Sequence, residues 1–405
     1  MAEQPATFAP PSPGISPVNL SDCIEDLLHF TLSTYLQVPP LLDLGFSKDY
    51  CSRLLQLDEA DPISSANRDC GGVPAYPLYK PLARAVERSI KSGSLGRERR
   101  SIDLIPVDES VKAREKEWNE LIADKGSEIL NMLEGVDFEL HVQEPYFSQL
   151  RDGRKTVEGR CGGNYSRITP GAVLLFNKCL LFQVQHVNRY SSFYEMLKVE
   201  GLSDILPGVE TVEEGVQIYR KFYTEEKETA SGVFAIYVSR LASQPYISLG
   251  NLLSGLGYDG VGGLLGMMHT AGTDSNALPP PRSAIIASSK KPHHPNVKGC
   301  ILTNGARALA KHVNKSSEGW WGYFSGSDSN KNRIASEVIN HLVDDCCWMN
   351  IHFIKPHECV FEVRVHEGYG ARWSADGTEL IPLVFQFIGF LEPYMEGGYS
   401  KGWRH

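Results

Sequence analysis

The segment that decides the fold of this 405-residue chain reads Gly153-Arg154-Lys155-Thr156-Val157-Glu158-Gly159-Arg160. If this segment is extended, alternate side chains share a face, which places Thr156, Glu158 and Arg160 together. Val157 and Gly159 then point to the other side. A carboxylate and a guanidinium therefore lie side by side along a groove. Arg160 offers a planar set of donors for a phosphate, a carboxylate or a base edge. Glu158 either accepts from a base amino group or holds Arg160 in place.

Short apolar segments on both sides of this stretch predict a small β-barrel. The strand-like segments are FELHV (138–142), AVLLF (172–176), CLLFQVQHV (179–187) and GVFAIYV (232–238). Asn177-Lys178 predicts a hairpin connection. Thr211 and Glu214 form a capping box that predicts the start of a helix. Several short strands around one or two helices are typical of a small closed barrel, here over residues 138–241.

The rest of the chain divides by composition. The predicted divisions are a disordered Pro-rich tail (1–18), a mainly helical N-terminal region (19–135), a Gly- and Pro-rich extension and linker (242–299) and a C-terminal α+β domain (300–405). In the last domain, helices fit residues 303–314 and 328–345, and strands fit 348–354, 359–366 and 385–391. The predicted fold class is therefore α+β, with a β-barrel between a helical region and an α+β domain.

Charge and cysteine content limit the classes of function. The net charge of −9 means that any nucleic-acid site is a local positive patch on an acidic body. The nine cysteines are scattered, no secretory signal is visible, and no apolar run reaches the roughly 20 residues of a membrane span. We therefore expect a cytoplasmic or nuclear protein without a membrane partner. No motif predicts a metal or another cofactor.

The predicted barrel is positive in one half and negative in the other. Residues 151–189 carry seven basic and two acidic side chains, whereas residues 190–228 carry four basic and nine acidic ones. Arginines beside aromatic rings favour single-stranded RNA, because guanidinium groups bind phosphate and rings stack on bases. A solvated basic face over core aromatics is the alternative. The candidate RNA-binding residues are Arg151, Arg154, Lys155, Thr156, Glu158, Arg160, Tyr165 and Arg167.

These motifs together resemble the ASCH (activating signal cointegrator homology) domain. The resemblance consists of Glu144-Pro145-Tyr146-Phe147, the Gly153–Arg160 segment, Thr169-Pro170-Gly171 before a strand, and a later helix and strand. It covers about a quarter of the chain. It implies a PUA-like β-barrel and an RNA-related role, with RNA or a modified nucleotide as the partner in RNA processing or transcription coactivation. The whole architecture resembles plant proteins described as ASCH-domain RNA-binding proteins.

Two alternative functions follow from the same resemblance. Some bacterial members are amidohydrolases that act on acetylated cytidine with a Lys, a Thr three residues later and a Glu further on. Lys155 matches the Lys, Glu158 stands where those enzymes have Thr, and Glu200 is a loose match to the later Glu. The departure at Glu158 favours a binding protein over an enzyme. The third hypothesis is an interaction scaffold whose terminal domains recruit other proteins.

A second candidate pocket lies in the C-terminal domain. Three segments there combine glycine, an aromatic residue and a charge, and they bring together Arg372, Trp373, Glu392 and His405. An aromatic-lined pocket is one interpretation. The alternative is a structural Trp/Arg stacking cluster that stabilises a small sheet.

Overall fold

A computed structural model describes residues 18–37, 42–58, 71–96, 109–270, 272–313, 319–355, 358–376 and 384–393. Nearly all of the predicted tail (1–18) and His405 lie outside these residues. The chain forms two compact units, and each is built from two segments. Unit 1 is Met1–Ser33 with Asp124–Asn251, and unit 2 is Thr34–Ala123 with Leu252–His405. The linear domain bounds given above remain predictions.

Helices predominate in the described part of the chain. They are α1 (Leu20–Leu36), α2 (Lys48–Leu55), α3 (Tyr79–Ser92), α4 (Glu109–Glu134), α5 (Tyr146–Arg151), α6 (Phe193–Glu200), α7 (Leu202–Ile205), α8 (Val212–Arg220), α9 (Glu225–Ser231), α10 (Pro245–Leu264), α11 (Arg282–Lys290), α12 (Asn304–His312) and α13 (Asp328–Asp345). Several of these helices are capped at the N-terminus by a serine or threonine, whose hydroxyl oxygen accepts a hydrogen bond from a backbone N–H of the first turn. Thr211 accepts from the Glu214 N–H, as the capping box predicts. Ser327, rather than the following aspartate, caps α13.

Five strands of unit 1 form a curled half-barrel rather than a closed barrel. They are β1 (Phe138–Leu140), β2 (Val157–Cys161), β3 (Val173–Phe176), β4 (Leu180–Tyr190) and β5 (Val233–Arg240), in the order β1-β3-β4-β5-β2. The β1–β3 pair is parallel and the others are antiparallel. Asn177 and Lys178 have φ values of 47° and 62°, the left-handed backbone that a two-residue hairpin turn requires. The predicted hairpin is confirmed.

Four antiparallel strands of unit 2 form the second sheet. They are β6 (Trp348–Lys355), β7 (Glu358–Arg364), β8 (Gly370–Asp376) and β9 (Val384–Leu391), paired in chain order. Their apolar face and helices α11, α12 and α13 supply one core, in which Leu309, Ile339 and Phe361 are fully buried or nearly so. The predicted α+β class is confirmed. The sequence prediction missed β8, because its initial Gly370 and its mixed polarity hide the alternation of a strand.

The predicted linker contains a structural helix. Helix α11 lies inside residues 242–299, and its Ile285 is completely buried in the unit 2 core. The Pro-rich composition was misleading there, because Pro281 only precedes the helix. In the described part of the chain, no helix combines the length and the apolar character that crossing a membrane requires.

Replacing Trp373 by alanine tests the assignment of β8 to the unit 2 core. The indole is completely buried, and its Nε1 donates to the Ile285 carbonyl over 3.0 Å. We expect Trp373→Ala to lower the free energy of unfolding by about 3–5 kcal/mol, since it leaves a cavity and an unpaired carbonyl. Urea denaturation measures this, with Tyr323→Ala at an 84% exposed aromatic as the control. Equal midpoints for the two variants would contradict the assignment.

Candidate functional site

Three buried charges occupy β2 and the residues just before it. Glu158 Oε2 lies 3.1 Å from Lys155 Nζ, and Glu158 Oε1 lies 2.8 Å from Arg160 Nε. The side chains are only 2%, 8% and 5% exposed for Lys155, Glu158 and Arg160, respectively. The alternation of the strand therefore produces the predicted carboxylate–guanidinium pair. With one anion between two cations, the trio has a net charge of +1 when all three groups are ionised.

Lys155 is held by three acceptors. Its Nζ donates to the carbonyl oxygens of Val157 (2.7 Å) and Ile205 (2.5 Å), and Glu158 is the third partner. Burial lowers the pKa of Lys155, and the Glu158 carboxylate opposes that shift. An ammonium has three N–H donors, so these three partners fit its charged form. Lys155 thus ties β2 to the end of α7.

Arg160 is oriented from several directions. Its Nη2 donates to the His141 carbonyl over 2.6 Å, and its guanidinium lies 5.9 Å from the centre of the Tyr165 ring. Burial disfavours the charge, but Glu158 outweighs burial and raises the pKa of Arg160 above its ordinary value. Tyr223 also hydrogen-bonds to the guanidinium, whose five N–H donors outnumber these partners.

A cavity of about 380 Å³ opens above these charges. Its lining residues are His141, Val142, Gln143, Tyr146, Lys155, Glu158, Gly159, Arg160, Leu206, Ile218, Tyr219, Phe222 and Tyr223. One wall is aromatic and aliphatic, whereas the charged trio forms the polar part. Such a combination is typical of small-molecule sites, whose volumes are roughly 300–1,000 Å³.

Gly159 allows α8 to approach the strand. A Cβ atom at this position would overlap the phenol of Tyr219. Burial raises the pKa of Tyr219 well above its usual value, and the Glu158 charge adds to the shift. Tyr219 therefore stays a neutral phenol. The sequence prediction assigned no role to Gly159 beyond its place on the other side of the strand. The sequence alone did not reveal that α8 packs on β2 at this glycine.

The structure separates the predicted RNA-binding residues into two groups. Lys155, Glu158 and Arg160 line the cavity, and the buried Tyr165 supports Arg160. Four others do not line it. Arg151 and Arg154 both pair with Asp152, at 2.8 Å and 3.3 Å, whereas Thr156 and Arg167 are exposed. These four remain candidates for a rim contact.

Glu200, the loose catalytic candidate, does not line the cavity. Its carboxylate accepts hydrogen bonds from Asn188 (2.7 Å), Tyr190 (2.5 Å) and Tyr237. Burial would raise the pKa of Glu200, but these donors outweigh it and lower the pKa. A carboxylate held in this way is suited to joining α6 to β4 and β5.

The second predicted pocket is not formed as expected. Trp373 points into the unit 2 core, whereas Arg372 lies on the opposite side of the same strand, 2.6 Å from Glu362. A bulge separates Arg372 from Trp373 in the pairing with β9. Glu392 accepts from the Trp321 indole and lies 2.8 Å from His312 Nδ1. His405 is outside the described residues. The alternation of β8, missed in the sequence, explains the error.

Glu362 instead organises a polar cluster on the sheet. Its carboxylate lies 2.6 Å from Arg364 Nε, 2.6 Å from Arg372 Nε and 3.2 Å from His352 Nε2. Burial alone would raise the pKa of Glu362, but His352 and the two arginines outweigh it and lower the pKa to about 2. Within the described ranges, no three His, Cys, Asp or Glu side chains are grouped as metal ligands.

Comparison with known proteins identifies the half-barrel. The ASCH domain family model matches residues 140–242. The hypothetical protein PH0355 is 41% identical over 25% of this chain and 97% of its own, with a TM-score of 0.25. Protein PF0455 from Pyrococcus furiosus is also 41% identical, over 26% of this chain and 97% of its own, with a TM-score of 0.24. No curated protein matches.

The chain belongs to the ASCH-domain family, and the predicted resemblance is confirmed. The matched residues contain β2, the charged trio and the cavity. A second family model, described as the CdiA C-terminal tRNase toxin domain, matches residues 290–392. No motif quoted from residues 290–392 indicated this similarity. The matched range contains α12, α13 and all four strands of the second sheet.

The low pKa of Glu362 predicts an acid-sensitive fold in unit 2. Because the folded pKa lies below the ordinary value of 4.5, the stabilisation is complete above pH 4.5 and is lost as the pH falls towards 2. We expect the difference in unfolding free energy between the wild type and Glu362→Gln to shrink over this range, by on the order of 3 kcal/mol. Urea denaturation between pH 2 and 6 measures it. Glu337→Gln, at an exposed helical ion pair, is the control. A difference independent of pH would contradict the account.

Proposed function

We propose that the ASCH domain binds RNA by taking one unstacked nucleotide, plain or modified, into the cavity above Glu158 and Arg160. The observation that carries the proposal is the cavity itself, which combines a net positive, buried trio with an aromatic wall. Sequence-specific RNA recognition generally uses unstacked bases that stack on aromatic side chains and bond to Arg.

The charges indicate which part of the nucleotide each wall contacts. Arg160 and Lys155 outnumber Glu158, so the polar part of the cavity favours an electron-rich ring carbonyl or a phosphate oxygen. Tyr219 and Phe222 belong to the aromatic wall, against which we expect the base to pack. The exposed Arg154 and Arg167 then contact the neighbouring phosphates.

The amidohydrolase alternative has less support from the same geometry. A lysine that acts as a base or nucleophile needs a free lone pair, whereas three acceptors surround Lys155 Nζ. Glu200 is engaged by three donors away from the cavity lining. Binding without hydrolysis is therefore the function we propose for this cavity. The scaffold hypothesis remains a prediction.

Replacing Arg160 and Phe222 tests the cavity as the RNA site. We expect Arg160→Gln and Lys155→Ala to weaken salt-sensitive binding of single-stranded RNA by at least about 10-fold. Phe222→Ala should weaken binding by about 5- to 100-fold through lost stacking. Filter binding at several salt concentrations measures this.

Arg333→Gln is the matched control, because this arginine is 60% exposed on α13. Thermal melting of each variant separates lost binding from lost folding. Binding at wild-type strength by a folded Phe222→Ala and Arg160→Gln would contradict the proposal.

A second candidate function concerns unit 2. We propose that residues 290–392 also act on RNA, because they match a family model described as a tRNase toxin domain. The polar cluster of His352, Glu362, Arg364 and Arg372 supports this proposal. Ribonucleases need a proton-transfer group beside cations that bind the phosphate, and these residue types supply both.

Crosslinking tests the second candidate. Ultraviolet irradiation of the full chain with a tRNA pool should give crosslinked peptides from residues 290–392 as well as from the ASCH domain. Mass spectrometry identifies the peptides. Crosslinks confined to the ASCH domain would contradict an RNA-directed unit 2 and leave the cavity proposal intact.

A further inference from the structure

The sheet β6–β9 has two faces of opposite character. Ile351, Phe361 and Trp373 point into the core that the sheet shares with α11, α12 and α13. The alternate positions carry His352 on β6, Glu362 on β7 and Arg372 on β8, so these polar residues lie on the other face. In the pairing, Glu362 is directly opposite Arg372, and the neighbouring Phe361 is opposite Ile351.

The Glu362 carboxylate contacts side chains from three neighbouring strands, β6, β7 and β8. His352 Nε2 and Arg372 Nε both approach Glu362 Oε2, at 3.2 Å and 2.6 Å, and Arg364 approaches Oε1 at 2.6 Å. The Glu362 side chain is 2% exposed, whereas those of His352 and Arg372 are 14% and 19% exposed. A ligand therefore reaches the histidine and the arginine but not the carboxylate.

The imidazole has a defined orientation. Because Glu362 is ionised and accepts only, its contact with Nε2 fixes the N–H of a neutral His352 on that nitrogen. The lone pair is then on Nδ1. Glu362 is a positioning residue, and it also stabilises the charge that His352 acquires when Nδ1 accepts a proton.

Arg364 and Arg372 differ in how many of their N–H groups already have an acceptor. Arg364 also donates Nη1 to the carbonyls of Gly368 (2.7 Å) and Glu392 (3.0 Å), which makes it part of the scaffold. Arg372 donates Nε to Glu362, and no acceptor for its terminal nitrogens is found among the described residues. A purely structural ion pair does not require a guanidinium with a partly exposed, unengaged end.

We propose that this face is an RNA-cleaving centre in which His352 is the general base and Arg372 binds the scissile phosphate. The proposal rests on the second candidate function above. The 2′-oxygen of a ribose attacks the adjacent phosphorus, and its proton goes to His352 Nδ1. The P–O5′ bond breaks, and O5′ takes a proton from water. His352 returns its proton to the resulting hydroxide. The products are a 2′,3′-cyclic phosphate and a 5′-hydroxyl.

Cleavage of a tRNA pool by the full chain tests the proposal. We expect wild-type protein to give fragments whose 3′ ends can be labelled only after a cyclic phosphate is removed. His352→Gln should reduce the rate by about 100-fold or more, as loss of a general base does. Arg372→Gln should reduce it by at least about 10-fold. His341→Gln, at a 50% exposed helical histidine, should cleave like the wild type.

The role of Glu362 has its own readout. Glu362→Gln removes the anion beside His352, so a protonated imidazole loses its neighbouring negative charge. The onset of cleavage should therefore move to lower pH, with a lower rate. A merely structural Glu362 would change the rate and leave the pH profile in place.

Each remaining outcome overturns the proposal in a recognisable way. Cleavage by a folded His352→Gln at the wild-type rate, or fragments without cyclic ends, would place the chemistry elsewhere or in another mechanism. RNA crosslinks to residues 290–392 without any cleavage by the wild type would leave RNA contact by unit 2 standing and refute the cleavage centre. Thermal melting shows that each variant is folded.

Discussion

The ion pairs between Glu158 and its two cations are the constraint around which the ASCH half-barrel is arranged. Burying three charges costs several kcal/mol per ion unless each is paired and hydrogen-bonded. The surrounding backbone meets that requirement through the Val157, Ile205 and His141 carbonyls. The trio therefore fixes the end of α7 and the segment after β1 relative to β2. Because these contacts leave part of Arg160 facing a cavity, the requirement for stability also produces a binding surface.

The second sheet also contains a buried carboxylate that is paired with cations, but the residues differ. There one carboxylate is surrounded by two arginines and a histidine, and the low pKa of Glu362 is the consequence. In both sheets a buried glutamate orients the cations beside it. The difference is that Glu362 contacts an imidazole as well as guanidinium groups, whereas the partners of Glu158 are a lysine and an arginine. This difference is why we assign binding to the first site and chemistry to the second.

Local patterns were sufficient for much of the half-barrel. The alternation of Glu158 and Arg160, the turn at Asn177-Lys178 and the cap at Thr211 depend on neighbouring residues, and all three are present in the structure. Other features depend on distant contacts. The close approach of Tyr219 to Gly159 needs α8 to be placed on β2, and the donors around Glu200 come from two strands, β4 and β5. In unit 2 the mixed polarity of β8 hid the strand, so Trp373 was placed in a pocket rather than in the core.

The central claim is that Arg160 contacts RNA inside the cavity. Nuclear magnetic resonance of the full chain with isotope-labelled arginine tests it most directly, because the Arg160 Nε–H signal reports on the guanidinium itself. During titration with single-stranded RNA, the account predicts a saturable shift of that signal, while the Arg333 signal stays unchanged. Saturable RNA binding that leaves the Arg160 signal in place would contradict the account.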